Sequence, residues 1–212
     1  SFSSFAPATS TEVRCAVLSS SNASCSLDPI PTFLLKSCLD SLTHPITTII
    51  NLALAEGSFP SAFKSAILHP LLKKSTLPKD DLSSYRPVSN LSFFSKLLER
   101  IILSRLLAHL DSFPSISPYQ SAFRKLHSTE TALLRVQNDL LLSCNNQKVS
   151  ALVLLDLSAA FDTIDHSILL ERLSSTFGIS GTALSLLSSY LSNRTQCVTI
   201  GNESSAHSPL LT

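Results

Sequence analysis

The 212-residue sequence has no Met and no Trp, only 4 Gly, and 5 Cys without a single CxxC pair. Each shortage excludes something. The cysteines (Cys15, Cys25, Cys38, Cys144 and Cys197) are odd in number and widely spaced, which fits ordinary reduced thiols of an intracellular protein better than a zinc site or a disulfide framework. The GxxxxGK[ST] phosphate loop, the GxGxxG dinucleotide turn, the GxSxG serine elbow and the HExxH zinc helix are all absent. P-loop ATPases, Rossmann dehydrogenases, serine hydrolases and zinc proteases are thereby set aside. No apolar run reaches the roughly 20 residues that cross a bilayer, and no basic stretch followed by an apolar one opens the chain, so neither a membrane span nor a secretory leader is expected. The missing initiator Met suggests a piece cut from a longer open reading frame.

Charge is nearly balanced, with 16 Lys and Arg against 15 Asp and Glu, so any affinity for nucleic acid must come from local grouping. A hydrophobic fraction of 44% supports a core in one domain or two small lobes.

Along the chain, residues 1 to 27 are rich in Ser, Ala and Thr and read as loosely attached or as finishing an element whose start is missing. In LDPIPTFLLKSCLDSL, Asp28 is placed to cap a short helix with Pro29 in its first turn and an apolar stripe of Ile30, Phe33, Leu34 and Cys38. A second helix runs from about Pro45 to Glu56 and ends at Gly57. Ala66 to Leu72 reads as a strand, and Pro70 suits an edge position. Lys73, Lys74 and Arg86 then suggest a hairpin with positive charge at its tip, with a plain solvated loop, its lysines offset by Asp80 and Asp81, as the equal alternative.

Residues 92 to 110 form the clearest helix, with Phe94, Leu97, Leu98, Ile101, Ile102, Leu106 and Leu110 mostly three or four apart. Its Lys96, Arg100 and Arg105 fall on the other side and point to solvent more readily than to phosphate. Ser128 caps a second long helix to Leu142. Arg124, Lys125 and His127 crowd before it, where a helix N-terminus would welcome an anion or where they merely line a loop. Helices are also expected at 167–174, with Ile168, Leu169 and Leu173 facing inward, and at 183–191. A strand is expected at 194–200.

The richest stretch is ALVLLDLSAAFDTIDHSILLER, residues 151 to 172. Ala151 to Leu155 reads as a buried strand that delivers Asp156 to its end, where an ionised carboxylate must find solvent, hydrogen bonds or a metal. Asp156 is a hard oxygen ligand of the kind Mg²⁺ takes, yet one carboxylate is no two-metal centre. Asp165 reads as a helix cap and Asp162 as local structure. Phe161 is either core packing or a wall beside a nucleotide sugar.

VLLDLSAAFDTIDHSILLERL resembles the first palm motif of reverse transcriptases encoded by non-LTR (LINE-type) retrotransposons. The blocks LDPIPTFLLK, SAILHPLLKK with SSYRPVSNLSFFSKLLERIILSRL, YQSAFRKLHSTETALLRVQNDLL and SYLSNRTQCVTI agree in order, so the resemblance runs from about residue 25 to 212. It implies an α+β right-hand polymerase fold: an N-terminal segment (1–24), fingers (25–148) and a partial palm (149–212), cut before the YxDD hairpin. It also implies RNA-directed DNA polymerase activity that joins a dNTP to a DNA primer 3′-hydroxyl on an RNA template with Mg²⁺ (Mn²⁺ as the alternative).

In that pattern Asp156 is the catalytic, metal-binding aspartate, and the Leu157 carbonyl is a second metal ligand. Phe161 gates the sugar, and Arg86 with Lys73 or Lys74 meets the triphosphate. Gln120, Arg124 and His127 lie along the template. The setting implied is a retrotransposon ribonucleoprotein in the nucleus or cytoplasm, with no membrane partner. Ala122 and Leu126 stand where the family usually has glycine, and LSLLSSYL lacks the family's Trp. GVPQG and YxDD blocks occur nowhere in the 212 residues, so the isolated chain is expected to be inactive, its C-terminal palm and thumb missing. Two other readings stay open: a non-catalytic helical scaffold or retroelement remnant, and another Mg²⁺-dependent phosphoryl-transfer enzyme.

Overall fold

The structure, a computed structural model, describes residues 1–23, 25–112, 117–157, 160 and 163–210. It is a mixed α+β fold in two compact units, Ser1–Leu110 with Asp165–Thr212 and, separately, Asp111–Ile164.

In the first unit, helices α1 (Ser10–Leu18), α2 (Thr32–Ser37), α3 (Leu39–Glu56) and α4 (Phe93–Leu110) precede α6 (His166–Ser175) and α7 (Gly181–Leu191), while α5 (Thr129–Asn145) belongs to the second unit. The core joins Val13 and Val17 of α1, Ile46, Ile50 and Leu54 of α3, Leu97, Leu98, Ile101 and Ile102 of α4, and Ala183 and Leu186 of α7. The three-and-four spacing on α4 thus faces inward as its sequence suggests. Helix α3 ends where expected: Gly57 has φ +65°, and a Cβ there would lie 2.8 Å from the Thr182 carbonyl oxygen, so glycine answers to both conformation and space. Asp165 caps α6, its Oδ1 accepting from the backbone N–H of Ser167 at 2.8 Å and of Ile168 at 3.1 Å. On α6 the inward residues are Leu170 and Leu173, while Ile168 is exposed.

The N-terminal segment is firmly held, contrary to its composition. Phe5, Ala8, Val13 and Val17 are buried, and the Phe2 N–H donates to the Gly178 carbonyl at 2.8 Å. The Asn51 side chain pairs with both backbone groups of Ala8, at 2.7 and 3.0 Å. A Ser- and Thr-rich composition describes the residues between these anchors, and the anchors' partners are far away in sequence. Helix α2 also departs from expectation: it starts only at Thr32, after two prolines, and buries Thr32 and Leu35 while Phe33 and Leu34 are exposed. Asp28 caps a different helix. Its Oδ1 accepts from the Phe93 N–H at 2.6 Å, satisfying an otherwise orphaned donor at the start of α4.

The sheet runs in the order β2 (Tyr85–Leu91), β1 (Ser65–Leu72), β3 (Thr195–Ile200), β4 (Glu203–Ser204), with β5 (Ser208–Pro209) also on β3. Strand β1 is therefore interior, although Pro70 suggested an edge. The parallel pairing with β3 covers only Ser65 to Leu68, so Pro70 lies past it and faces only Pro87 of β2, which likewise has no N–H to offer.

In the second unit, α5 (Thr129–Asn145) is capped as expected, with the Ser128 hydroxyl accepting from the Thr131 N–H at 3.2 Å. None of its residues is buried. Residues 151–157 form no strand, and Leu154 and Leu155 are 84% and 91% exposed. The buried strand expected there is thus not formed. An apolar run becomes a buried strand only when neighbours take its backbone groups and cover its side chains, and among the described residues no strand pairs with it. No described helix is long and apolar enough to cross a membrane.

Candidate functional site

The candidate residues fall on three pieces of backbone. The first is the β1–β2 hairpin. Antiparallel pairing sets Arg86 opposite Leu71 and Tyr85 opposite Leu72, which brings Arg86 within two positions of Lys73. The loop is ordered by its own polar groups: the Asp81 carboxylate accepts from the Ser83 N–H at 2.8 Å and from the Ser83 hydroxyl at 2.6 Å, and Tyr85 donates to the Lys79 carbonyl at 2.9 Å. The Ser83 hydroxyl is the main reason the Asp81 carboxyl titrates below its ordinary range. Lys73 is partly spent on this loop, its Nζ donating to the Ser83 carbonyl at 2.8 Å. The side chains of Lys74 and Arg86 have no hydrogen-bond or ion-pair partner among the described residues, so they are the hairpin cations open to an anion.

The second piece is the turn before α5. Gln120 donates to the Ala122 carbonyl at 3.3 Å, Arg124 approaches the Gln120 carbonyl at 3.5 Å, and a His127 ring nitrogen lies 2.9 Å from the Lys125 carbonyl. All three side chains are exposed, and the Arg135 guanidinium over the Tyr119 ring, 4.6 Å from its centroid, ties the turn to the helix. Phe123 and Leu126 have φ of 57° and 63°. The left-handed conformation that favours glycine therefore falls on Leu126, one of the two positions where the resemblance implies glycine, whereas at the other it falls beside Ala122, on Phe123.

The third piece carries Asp156 and Leu157, both exposed on residues 151–157, while Phe161 and Asp162 lie outside the described residues. Among the described residues no group of three or more His, Cys, Asp or Glu is arranged to hold a metal ion. Asp156 suits Mg²⁺ in donor type, but the described residues do not assemble a Mg²⁺ site.

The two arginines of α4 hold protein groups together. Arg100 donates to the Ala16 carbonyl and the Ser19 hydroxyl, each at 3.0 Å, closing the C-terminal end of α1. Arg105 grips Glu12 with both ends of its fork, at 2.8 and 2.9 Å, and donates to the Ala6 carbonyl at 2.6 Å. Arg105 is thus half-buried against protein, whereas Arg100, for all its contacts, stays exposed as its sequence position suggests, and so does Lys96. No local pattern marks these partners in the sequence, since they lie more than 80 residues away.

Residues 73–209 match the family model described as reverse transcriptase (RNA-dependent DNA polymerase). The chain belongs to the reverse transcriptase family. Among curated proteins this reverse transcriptase chain is 34% identical over 171 residues to the RNA-directed DNA polymerase from mobile element jockey of Drosophila melanogaster, covering 81% of the chain and 18% of that protein. The jockey polymerase of Drosophila funebris is 34% identical over 154 residues, 73% of the chain and 16% of the relative. The probable RNA-directed DNA polymerase from transposon BS of Drosophila melanogaster is 30% identical over 164 residues, 74% and 18% respectively. The chain thus spans less than a fifth of the length of these retrotransposon relatives. The family match encloses the hairpin tip, the turn before α5 and Asp156 alike.

Proposed function

We propose that these 212 residues are the fingers and first part of the palm of a retrotransposon RNA-directed DNA polymerase, which joins a dNTP to a primer 3′-hydroxyl on an RNA template. The observation that carries this reading is the family match across residues 73–209, with an exposed carboxylate at Asp156 and uncommitted cations at Lys74 and Arg86 inside it. The hairpin cations meet the polyanionic triphosphate, Arg86 by its planar fork and Lys74 as a point charge, with Lys73 held in reserve by its carbonyl contact. Gln120, Arg124 and His127 follow the template, and Phe161 screens the sugar.

Asp156 and the Leu157 carbonyl would hold Mg²⁺, which would supply the positive charge that nucleotidyl transfer of this kind requires. The protein works inside the cell, in a retrotransposon ribonucleoprotein.

Primer extension on an RNA template, with Mg²⁺ and dNTPs, tests this. These 212 residues alone should extend no primer, whereas the same residues joined in frame to the GVPQG and YxDD blocks of a relative should do so. In the joined protein Asp156→Asn should lower extension by at least about 10³-fold, a loss of the order expected for a principal electrostatic group, while leaving template binding intact. Extension that survives Asp156→Asn refutes the metal assignment, and robust extension by the isolated chain refutes the need for further carboxylates.

A further inference from the structure

Between α4 and α7, inside the first unit, lies a cleft of about 420 Å³, a size typical of small-molecule sites. Its walls are apolar, made by Ile102, Leu103, Leu106 and Leu187, and one end is polar, made by Glu99 and Tyr190. The Ser95 hydroxyl donates to Glu99 Oε1 at 3.3 Å, and the Tyr190 phenol stands near enough to the same carboxylate that each group shifts the other's titration. Arg194 lies 4.7 Å from the Tyr190 ring centroid and donates to the Tyr190 carbonyl at 3.0 Å, fixing the ring from behind. Burial raises the Glu99 carboxyl above its ordinary pKa and, with the neighbouring Glu99 charge, pushes the Tyr190 phenol up to about 12. This half-buried acid and phenol have no part in the polymerase reading.

A carboxylate offers about four acceptor positions; Ser95 engages one, and Tyr190, with its single O–H, could take no more than one other. Glu99 therefore keeps acceptor capacity toward the cleft it lines. The surroundings narrow what can use it. Lys96 and Arg100 line the cleft and Arg194 stands behind it, so an ammonium ligand meets like charge, while an anion meets Glu99 itself. A neutral body with an N–H satisfies both walls and end.

We propose that the α4–α7 cleft binds a neutral, flat apolar small molecule carrying an N–H donor, its body against Leu103, Leu106 and Leu187 and its N–H on Glu99. The site is independent of the polymerase reading, and neither falls with the other. Indole is the probe. The chain contains no Trp, so indole fluorescence reports the ligand alone. Titration of the 212-residue protein should saturate at one site in the submillimolar to millimolar range, as a ligand of so few atoms allows. 1-Methylindole, which has no N–H, should bind about ten-fold more weakly, the loss of one hydrogen bond to a charged group.

Glu99→Gln should shrink that difference, and Leu103→Arg, at a half-exposed position that tolerates a polar side chain, should abolish saturation. Equal binding of indole and 1-methylindole to the unmodified protein overturns the proposal without recourse to any variant. Linear, non-saturating binding or undiminished binding by Leu103→Arg overturns it as well.

Discussion

Leu98 on α4 and Leu154 in the 151–157 segment are the same side chain in opposite circumstances, fully buried in one and 84% exposed in the other. The contrast extends to their surroundings. In Ser1–Leu110 with Asp165–Thr212, apolar faces of α1, α3, α4 and α7 cover one another, and the arginines of α4 are spent on carbonyls and on Glu12. In Asp111–Ile164, no residue of α5 is buried, and Leu133, Leu141, Val153 and Leu155 all face outward. The first region holds itself together. The second keeps helical form through local hydrogen bonds, and its apolar surface is left for something other than its own residues to cover. Asp156, the aspartate proposed above to be catalytic, lies in that second region, so the chemistry proposed for this chain depends on the part with the least stability of its own.

Truncating the two leucines gives the largest test of that difference. Leu98→Ala should cost about 3 to 5 kcal/mol, because it removes transfer energy and leaves a cavity in a packed core. Leu154→Ala should change stability by less than about 0.5 kcal/mol, as surface substitutions do. Urea unfolding followed by circular dichroism separates the two. A Leu154→Ala cost comparable with that of Leu98→Ala would mean that residues 151–157 are packed in solution, and the contrast would collapse.

A smaller effect is expected from the cations. Arg105→Ala should cost about 2 kcal/mol through its charged hydrogen bonds, whereas Arg124→Ala, whose one backbone contact is 3.5 Å long and exposed, should lie within about 0.5 kcal/mol of the parent. Acid sharpens the comparison. The Arg105 hydrogen bond holds the Glu12 carboxyl below its ordinary pKa. A folded-state value depressed below the unfolded one gives stability that is complete above the unfolded value, about 4.3 for Glu, and is lost as pH falls through the folded value. The gap between the parent and Arg105→Ala should therefore narrow as pH drops from 7 through the carboxylate range, and the gap for Arg124→Ala should not move. A gap that stays constant in acid would show that Arg105 acts through its carbonyl contacts and not through Glu12.

Much of the fold is legible from short-range signals. Helix α4 follows from its apolar spacing, Gly57 marks the end of α3, Asp165 and Ser128 mark helix starts, and β3 shows as an alternating β-branched run. What escapes is whatever depends on a distant partner. Asp28 is read as the cap of its own helix when its carboxylate serves α4, 65 residues on. Phe2 and Ala8 look like a loose terminus until Gly178 and Asn51 are placed beside them.

The same limit explains the strand expected at 151–155. Periodicity reports that side chains are apolar, and it cannot report whether a neighbouring strand exists to receive them. At the candidate site the grouping of Lys73, Lys74 and Arg86 is readable as a hairpin, but the difference between an engaged Lys73 and a free Lys74 depends on one carbonyl, that of Ser83.

The smallest effect concerns the backbone of the second region, where conformation should matter more than burial. Leu126 has φ of 63° and is 90% exposed, so it bears left-handed strain of about 1 kcal/mol with little burial to offset it. Leu126→Gly removes that strain but adds freedom to the unfolded chain, worth roughly 0.5 to 1 kcal/mol. The net should be a gain of a few tenths of a kcal/mol, seen as amide exchange slowed about two-fold across residues 117–128. Ala122, the other position where the resemblance implies glycine, has no positive φ, so Ala122→Gly offers only the added freedom and should speed the same exchange. Opposite responses at two positions four residues apart cannot arise from side-chain burial. If Ala122→Gly protects the turn and Leu126→Gly loosens it, the left-handed residue has been placed one turn position too late, and Ala122 is where the missing glycine is felt.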